Sequence, residues 1–402
     1  MDVHVARQPI FDSHQKLFAY KLLIGQASGS GLEEPNRDRT TSSLLTTAFL
    51  TEGIEQIAGS TPCCIRFTEN LLLQHVAAAF PKNRLIIDIP ADVPASAEVV
   101  EACRTLAHQG YIVALDDSIC KKERLPLLEL ANIIKLDCQG STWGAIERTM
   151  HRLAPFNLKF LAEGVESFQE LEIAQKLGFN YFQGYFFACP QSLRITEVAS
   201  NKANLLRLLA EVNKPQFTIA SLEQIIAADV AIAYKLLRYI NSAFFSLLHQ
   251  VESIHQAIVY LGEREIRRFV TLMLIAELAV DKPTELVRLS VIRARFCELL
   301  AAECRDQEDN ASELFLLGLF SLIDALLDAP MALMMEKLPL SDRIKEALML
   351  RQGPFAPFLA AAIAYEKGRT EDCLIALGKL RVNRNKVYDI YLDAIKFSTR
   401  LD

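Results

Sequence analysis

The sequence predicts an α/β barrel followed by an all-helical second half. Three observations carry this expectation: short apolar runs recur with charged ends, segments of helical length separate them, and the alternation stops near the middle of the chain. The clearest run is Tyr111–Ser118, in which β-branched and apolar residues end in the adjacent carboxylates Asp116 and Asp117. Ile133–Asp137 ends in Lys135 and an acid, and Phe160–Glu166 ends in Glu163 and Glu166. Apolar strands joined by helices predict a parallel sheet whose chemistry lies at the C-terminal edge of the strands.

At the start of the chain, Val3–Phe11 and Leu17–Ile24 have strand character and flank the polar turn 12–16, which predicts an antiparallel hairpin. Thr40–Ile57 has helical spacing, with Leu44, Leu45, Ala48, Phe49 and Ile57 on one face. Strands at Cys63–Thr68, Arg84–Ile89 and Tyr111–Asp116, continuing to Tyr181–Phe187, then alternate with helices. A barrel of about seven or eight strands accounts for this pattern.

Strand signals end after residues 190–192. Glu197–Val212 predicts one helix, and residues 214–217 break it. The chain is expected to divide into residues 1–200 and 201–402. From Ser221 onward apolar residues recur at spacings of three and four, through 222–226, 232–240 and Ile254–Leu278.

A chain of 402 residues exceeds one ordinary core, which also points to two domains. A formal net charge of -6 argues against a broad nucleic-acid surface. The basic residues Lys379, Arg381, Arg384 and Lys386 read as a solvated helix face. The N-terminus lacks the pattern of a signal peptide, and the most apolar run, Leu314–Ile323, is too short to span a bilayer. The expectation is a cytoplasmic protein with no membrane partner. The nine cysteines have no C-x-x-C pairing, so free thiols are expected, with Cys63 and Cys64 on opposite faces of a strand.

Two adjacent aspartates at a strand end suit a divalent cation, because hard cations take oxygen ligands. The plain alternative is that one of them caps the next helix. Three charged strand ends within one stretch of sequence favour a site.

The segments Leu115–Asp117, Lys135–Asp137, Ala162–Glu166 and Gln183–Phe187 resemble the EAL domains, which hydrolyse the bacterial second messenger cyclic di-GMP. The resemblance covers the first half of the chain and implies a TIM-like barrel with one reversed strand, which the opening hairpin suits. It also implies two divalent metals held by Glu, Asn, Glu and Asp side chains at the barrel mouth, beside a lysine. Asp116 and Asp117 match the paired aspartates, Lys135 the lysine, Glu163 and Glu166 the later acids, and Gln183 the late glutamine.

Other positions depart from the pattern. The signature Glu-Ala-Leu-x-Arg falls on Lys21–Gly25, so Lys21 replaces a metal-ligating Glu and Gly25 a phosphate-contacting Arg. Arg66 replaces a ligating Asn, Asp88 replaces a Glu, and the loop Ser118–Pro126 lacks the family's glycines. A protonated Lys has no lone pair to offer a metal. These changes leave the pocket about two charges more positive than an active one, close to the charge of one divalent ion. Lys21 and Arg66 are therefore expected in the metal's place against Asp88 and Asp116; the alternative is that both extend into solvent.

In the second half, residues 240–245 and Ile254–Gly262 resemble the HDOD domains, which look like HD phosphohydrolases without the metal-binding His and Asp. Ser321 and Leu322 stand where that pair would be, and all seven histidines lie at or before His255. His249 and His255 are expected at the surface or at helix ends.

The two resemblances together imply a non-catalytic signalling protein of the cyclic di-GMP network, without metal or other cofactor. It would act through a protein partner on the helical half, affect motility or surface attachment, and bind cyclic di-GMP weakly or not at all. Self-association is a further option. Phe244–Phe245 and Phe269–Leu274 are candidate anchors for a partner, against the alternative that they form core. Two rival readings are a weak phosphodiesterase using one metal at Asp116, Asp117 and Glu163, and a receptor for the intact dinucleotide.

Overall fold

The computed structural model describes residues 3–399 apart from 27–40, 42–44, 46–52, 117–123, 191–199, 215–217, 229–235, 238–239, 242–250, 252 and 305–306. Eight strands close a barrel in sequence order: β1 (Val3–Asp12), β2 (Leu17–Gln26), β3 (Cys63–Arg66), β4 (Leu85–Ile89), β5 (Ile112–Asp116), β6 (Ile133–Asp137), β7 (Lys159–Glu163) and β8 (Tyr181–Gln183). β1 runs antiparallel to both β2 and β8, and every other neighbouring pair is parallel. The reversed strand is thus the first one. Its turn is set by Asp12, whose Oδ1 accepts from the backbone N–H of His14 at 2.8 Å and of Lys16 at 2.9 Å. An aspartate that satisfies backbone donors two and four residues on closes such a turn without help from the sheet.

Inside the barrel, Ile10, Ala19, Cys64, Ile86, Ala114, Ile133, Leu161 and Tyr181 form a buried apolar layer with one residue from each strand. Cys64 belongs to this layer and the equally buried Cys63 does not, as alternation along a strand requires. The cysteines among the described residues are free, and burial pushes the Cys63 thiol up to about 12.

The helices between strands carry their own start and stop signals. Ala97–Gln109 is capped by Ser96 and ends at Gly110, and Phe168–Leu177 begins with a capping box of Ser167 and Glu170 and ends at Gly178. Strands β7 and β8 end at Glu163 and Gln183, so Glu166 and Tyr185 lie just beyond them. Both strands stop because the next residue is a glycine with positive φ, Gly164 at 77° and Gly184 at 156°.

Beyond residue 199 every described element is helical, including Ser200–Val212, Ile219–Ala228, Thr284–Ala302, Ala356–Glu366, Thr370–Leu380 and Val387–Thr399. Ile254–Leu278 is interrupted at Gly262, whose φ of 78° and ψ of 164° kink it. Phe269–Leu274 is buried in this helix, so these residues are core and not exposed anchors. Leu236 and Ile240 are also buried, whereas Phe244, Phe245 and His249 lie outside the described residues. Ser321 and Leu322 are buried, and His255 sits exposed in the first turn of its helix, 3.7 Å from Glu223. Among the described residues, no helix is long and apolar enough to cross a membrane.

By packing, the chain forms two compact units that are not contiguous in sequence. One comprises Met1–Cys189, Ile292–Gly318 and Pro357–Asp402; the other comprises Pro190–Val291 and Leu319–Ala356. The barrel's own unit therefore includes late helices. Val387–Thr399 packs on β1 and on the short helix Ile54–Ala58.

Candidate functional site

Counting two residues along each strand from the apolar layer toward the mouth reaches Gln8, Lys21, Arg66, Asp88, Asp116, Lys135, Glu163 and Gln183. Residues two apart share a face, so the same alternation that fills the barrel with apolar groups puts these eight side chains above them. Because β1 is reversed, its contribution precedes its core residue: Gln8 comes before Ile10. This layer holds three cations, three carboxylates and two amides, and its formal charges cancel.

Lys135 is at its centre. Its Nζ lies 2.6 Å from Asp88 Oδ1, 2.5 Å from Asp116 Oδ1 and 3.7 Å from Glu163 Oε1. Lys135 and Asp88 are each about 1% exposed. Register explains part of this, since Asp116 and Lys135 are direct partners in the β5–β6 ladder. Lys21 Nζ donates to Glu163 Oε1 at 2.6 Å. The outermost cation, Arg66, has a half-exposed side chain with Nε 3.9 Å from Asp88 Oδ2. The expected pairing is thus corrected. Lys21 engages Glu163 instead of Asp88 or Asp116, Lys135 holds those two, and Arg66 reaches Asp88 only at the edge of ion-pair range.

Supporting contacts fix the ring. Gln183 Nε2 donates to Gln8 Oε1 at 2.7 Å. The backbone N–H of Ala91 donates to Asp116 Oδ2 at 3.2 Å. Arg124, buried below this loop, donates to the carbonyls of Ala91, Pro90 and Val93. Neither Gln8 nor Arg124 was marked by the sequence. Gln8 is recoverable by counting back from Ile10 on a reversed strand; Arg124 stands at no periodic position that would mark it.

The electrostatics follow from these contacts. Burial opposes ionisation of Asp116, but the Lys135 ammonium beside it and a weaker contribution from Arg66 more than offset this and hold the carboxyl below its ordinary value. Glu163 behaves alike: burial raises it, and Lys135 with Lys21 brings it down further than that. Burial alone would lower Lys135, yet Asp88, Glu163 and Asp116 together raise it well above the ordinary lysine range. At neutral pH Asp116 and Glu163 are firmly ionised and Lys135 firmly protonated, and such groups are poor proton acceptors.

Other residues singled out from the sequence lie around this ring. Gly25 pairs in register with His4 near the end of the hairpin, beyond Lys21 on the same strand. Glu166 is exposed on the rim and pairs with Lys367 at 3.8 Å. Asp117 lies outside the described residues.

Both halves of the chain match known domain families. Residues 63–190 match the family model of the EAL domain, and residues 199–336 match that of the HDOD domain. The chain is 31% identical over 409 residues to the uncharacterized protein YuxH of Bacillus subtilis (strain 168), covering 100% of this chain and 99% of that one. It is 32% identical over 378 residues to a protein of Vibrio cholerae named cyclic di-GMP phosphodiesterase CdgJ, covering 92% of this chain and 87% of that one. Among solved structures, an EAL domain protein from Listeria monocytogenes EGD-e aligns with 46% of this chain and 87% of its own, at 19% identity and a TM-score of 0.36. A closed barrel with its first strand reversed, a helical remainder and two near-full-length relatives lead to one assignment: the chain belongs to the EAL–HDOD family.

Proposed function

We propose that this chain is a non-catalytic regulatory member of the cyclic di-GMP network. It acts in the cytoplasm through a protein partner of its helical half and bears on motility or surface attachment. One observation carries the reading: Lys21 Nζ lies 2.6 Å from Glu163, and Lys135 Nζ lies 2.6 Å and 2.5 Å from Asp88 and Asp116. The carboxylates of the mouth are engaged by ammonium groups. The two metals that the family implies do not fit this donor set, because Lys21 and Arg66 stand at ligand positions and a protonated lysine repels a cation.

Asp116 and Glu163 are held ionised and Lys135 protonated, which makes these three poor proton acceptors at neutral pH. Gly25 contributes no charge toward a phosphate, which supports weak binding of the dinucleotide or none. A division of the chain at 200/201 into an EAL half and an HDOD half belongs to the same proposal.

A second reading, a cyclic di-GMP phosphodiesterase, is favoured by the name of the Vibrio cholerae relative, 32% identical over 92% of this chain. Purified full-length protein supplied with cyclic di-GMP and Mg²⁺ or Mn²⁺ separates the two. The proposal expects no linear product and weak or undetectable binding by calorimetry. Product formed in proportion to protein, and abolished by Asp116→Ala, establishes the phosphodiesterase. Submicromolar binding without turnover favours a receptor.

A further inference from the structure

The rim beside Glu163 and Gln183 is hydrogen-bonded across the ends of β7 and β8, and a late helix is fastened to it. The backbone N–H of Val165 donates to Gln183 O at 3.0 Å, and that of Phe186 donates to Val165 O at 3.2 Å. A Cβ on Gly184 would stand 1.8 Å from Val165 O, so the two segments approach as closely as backbones can. The strands that end in this piece carry Glu163 and Gln183 at the mouth, and Glu166 and Tyr185 follow just beyond them.

The end of the Ala356–Glu366 helix grips Glu166 and Tyr185. Tyr185 Oη donates to the carbonyl of Glu366 at 2.8 Å. Lys367 Nζ lies 4.5 Å from the centre of the Tyr185 ring and 3.8 Å from Glu166 Oε2. The Glu366 carboxylate is in turn bound by Arg293, with Nε at 2.9 Å and a second contact through the other guanidinium nitrogen. Arg293 and Glu366 are both buried. Gly368 meets Leu23, two residues beyond Lys21 on β2.

The geometry points to a relay from the barrel mouth to the late helices: the state of Lys21 and Glu163 is passed through the fused β7–β8 rim to Tyr185, and from Tyr185 to Glu366 and Arg293. The coupling needs no long path. Glu163 and Gln183 are each within three residues of the groups that hold the helix, and a rim this tightly bonded moves as a body. Its value to the molecule is regulatory, since whatever alters the Lys21–Glu163 pair alters how firmly the helix end is held. This holds whether the mouth cleaves a ligand, binds one or does neither.

Hydrogen–deuterium exchange on the full chain tests it, with Lys21→Met as the perturbation and Tyr185→Phe as the cut. Lys21→Met should raise exchange of amides in both 161–166 and 356–370, by about threefold or more, because local opening is what exchange reads. Lys21→Arg, which keeps a cation for Glu163, should restore both segments. In a Tyr185→Phe background, which removes the hydrogen bond to Glu366 but keeps the Lys367–Glu166 pair, Lys21→Met should still loosen 161–166 but raise exchange at 356–370 clearly less than it does in the parent. The relay is overturned if 356–370 stays unchanged in Lys21→Met, if its response is equal in the two backgrounds, or if the rise spreads evenly over the chain.

Discussion

Lys135 is the residue on which the mouth depends. It is buried between two carboxylates at 2.6 Å and 2.5 Å, so its removal leaves buried negative charge without compensation. Breaking such a pair from one side costs about 3–5 kcal/mol, and Lys135→Met is expected to lose that much in urea unfolding. Lys21→Met should cost only about 1 kcal/mol, because Glu163 keeps Lys135 at 3.7 Å and retains contact with water. Equal losses would show that the mouth is not organised around Lys135. The same ring sets an acid limit. Asp116 and Glu163 have folded pKa values depressed below their ordinary 3.8 and 4.5, so the folded state binds fewer protons than the unfolded chain in that range. Their stabilisation is complete above about 4.5 and is lost as pH falls through the depressed folded values. Lys135 is shifted the other way, above 10.5, so its contribution is complete below that pH and is lost only as pH rises through its higher folded value. Urea midpoints measured against pH should be level through neutrality and fall on the acid side, less steeply in Lys135→Met.

At the scale of the element, the rim formed after β7 and β8 is the most demanding local structure. Gly184→Ala would place a methyl group 1.8 Å from Val165 O at a backbone angle that side chains rarely adopt. Overpacking of this kind costs about 1–3 kcal/mol, and the loss should appear in urea unfolding of the variant. A variant as stable as the parent would mean that the two segments can separate freely. Much of the barrel was legible because alternation along a strand is a local property. Ile133–Asp137 matched to the residue, and the hairpin followed from its polar turn. The partner of Lys21 was not legible. Which charges meet across a closed barrel depends on the stagger of strands far apart in sequence, and Glu163 lies 142 residues from Lys21. Glu366 and Lys367 carried no signal at all, because their importance comes from the rim they touch and not from their own neighbours in the chain.

At the scale of the molecule, the late helices belong to the barrel's compact unit, with Arg293 and Glu366 buried inside it. A chain ending after Ala356 loses the partner of a buried guanidinium and the Val387–Thr399 helix that covers part of β1. Such a truncation is expected to lose cooperative unfolding of the barrel, and an unchanged midpoint would contradict the described packing. Deleting everything from Ser221 would therefore damage the barrel as well as remove the helical half, so point changes are the cleaner probes of function. Lysine ammonium groups, and not a metal ion, hold the carboxylates of the mouth. Calorimetric titration of Mn²⁺ into the full-length protein at neutral pH tests it directly. No saturable site is expected in the parent chain, and none in Lys21→Glu alone, where Lys135 and Arg66 remain. Saturable binding of about one or two ions per chain, lost in Asp116→Ala, would contradict it.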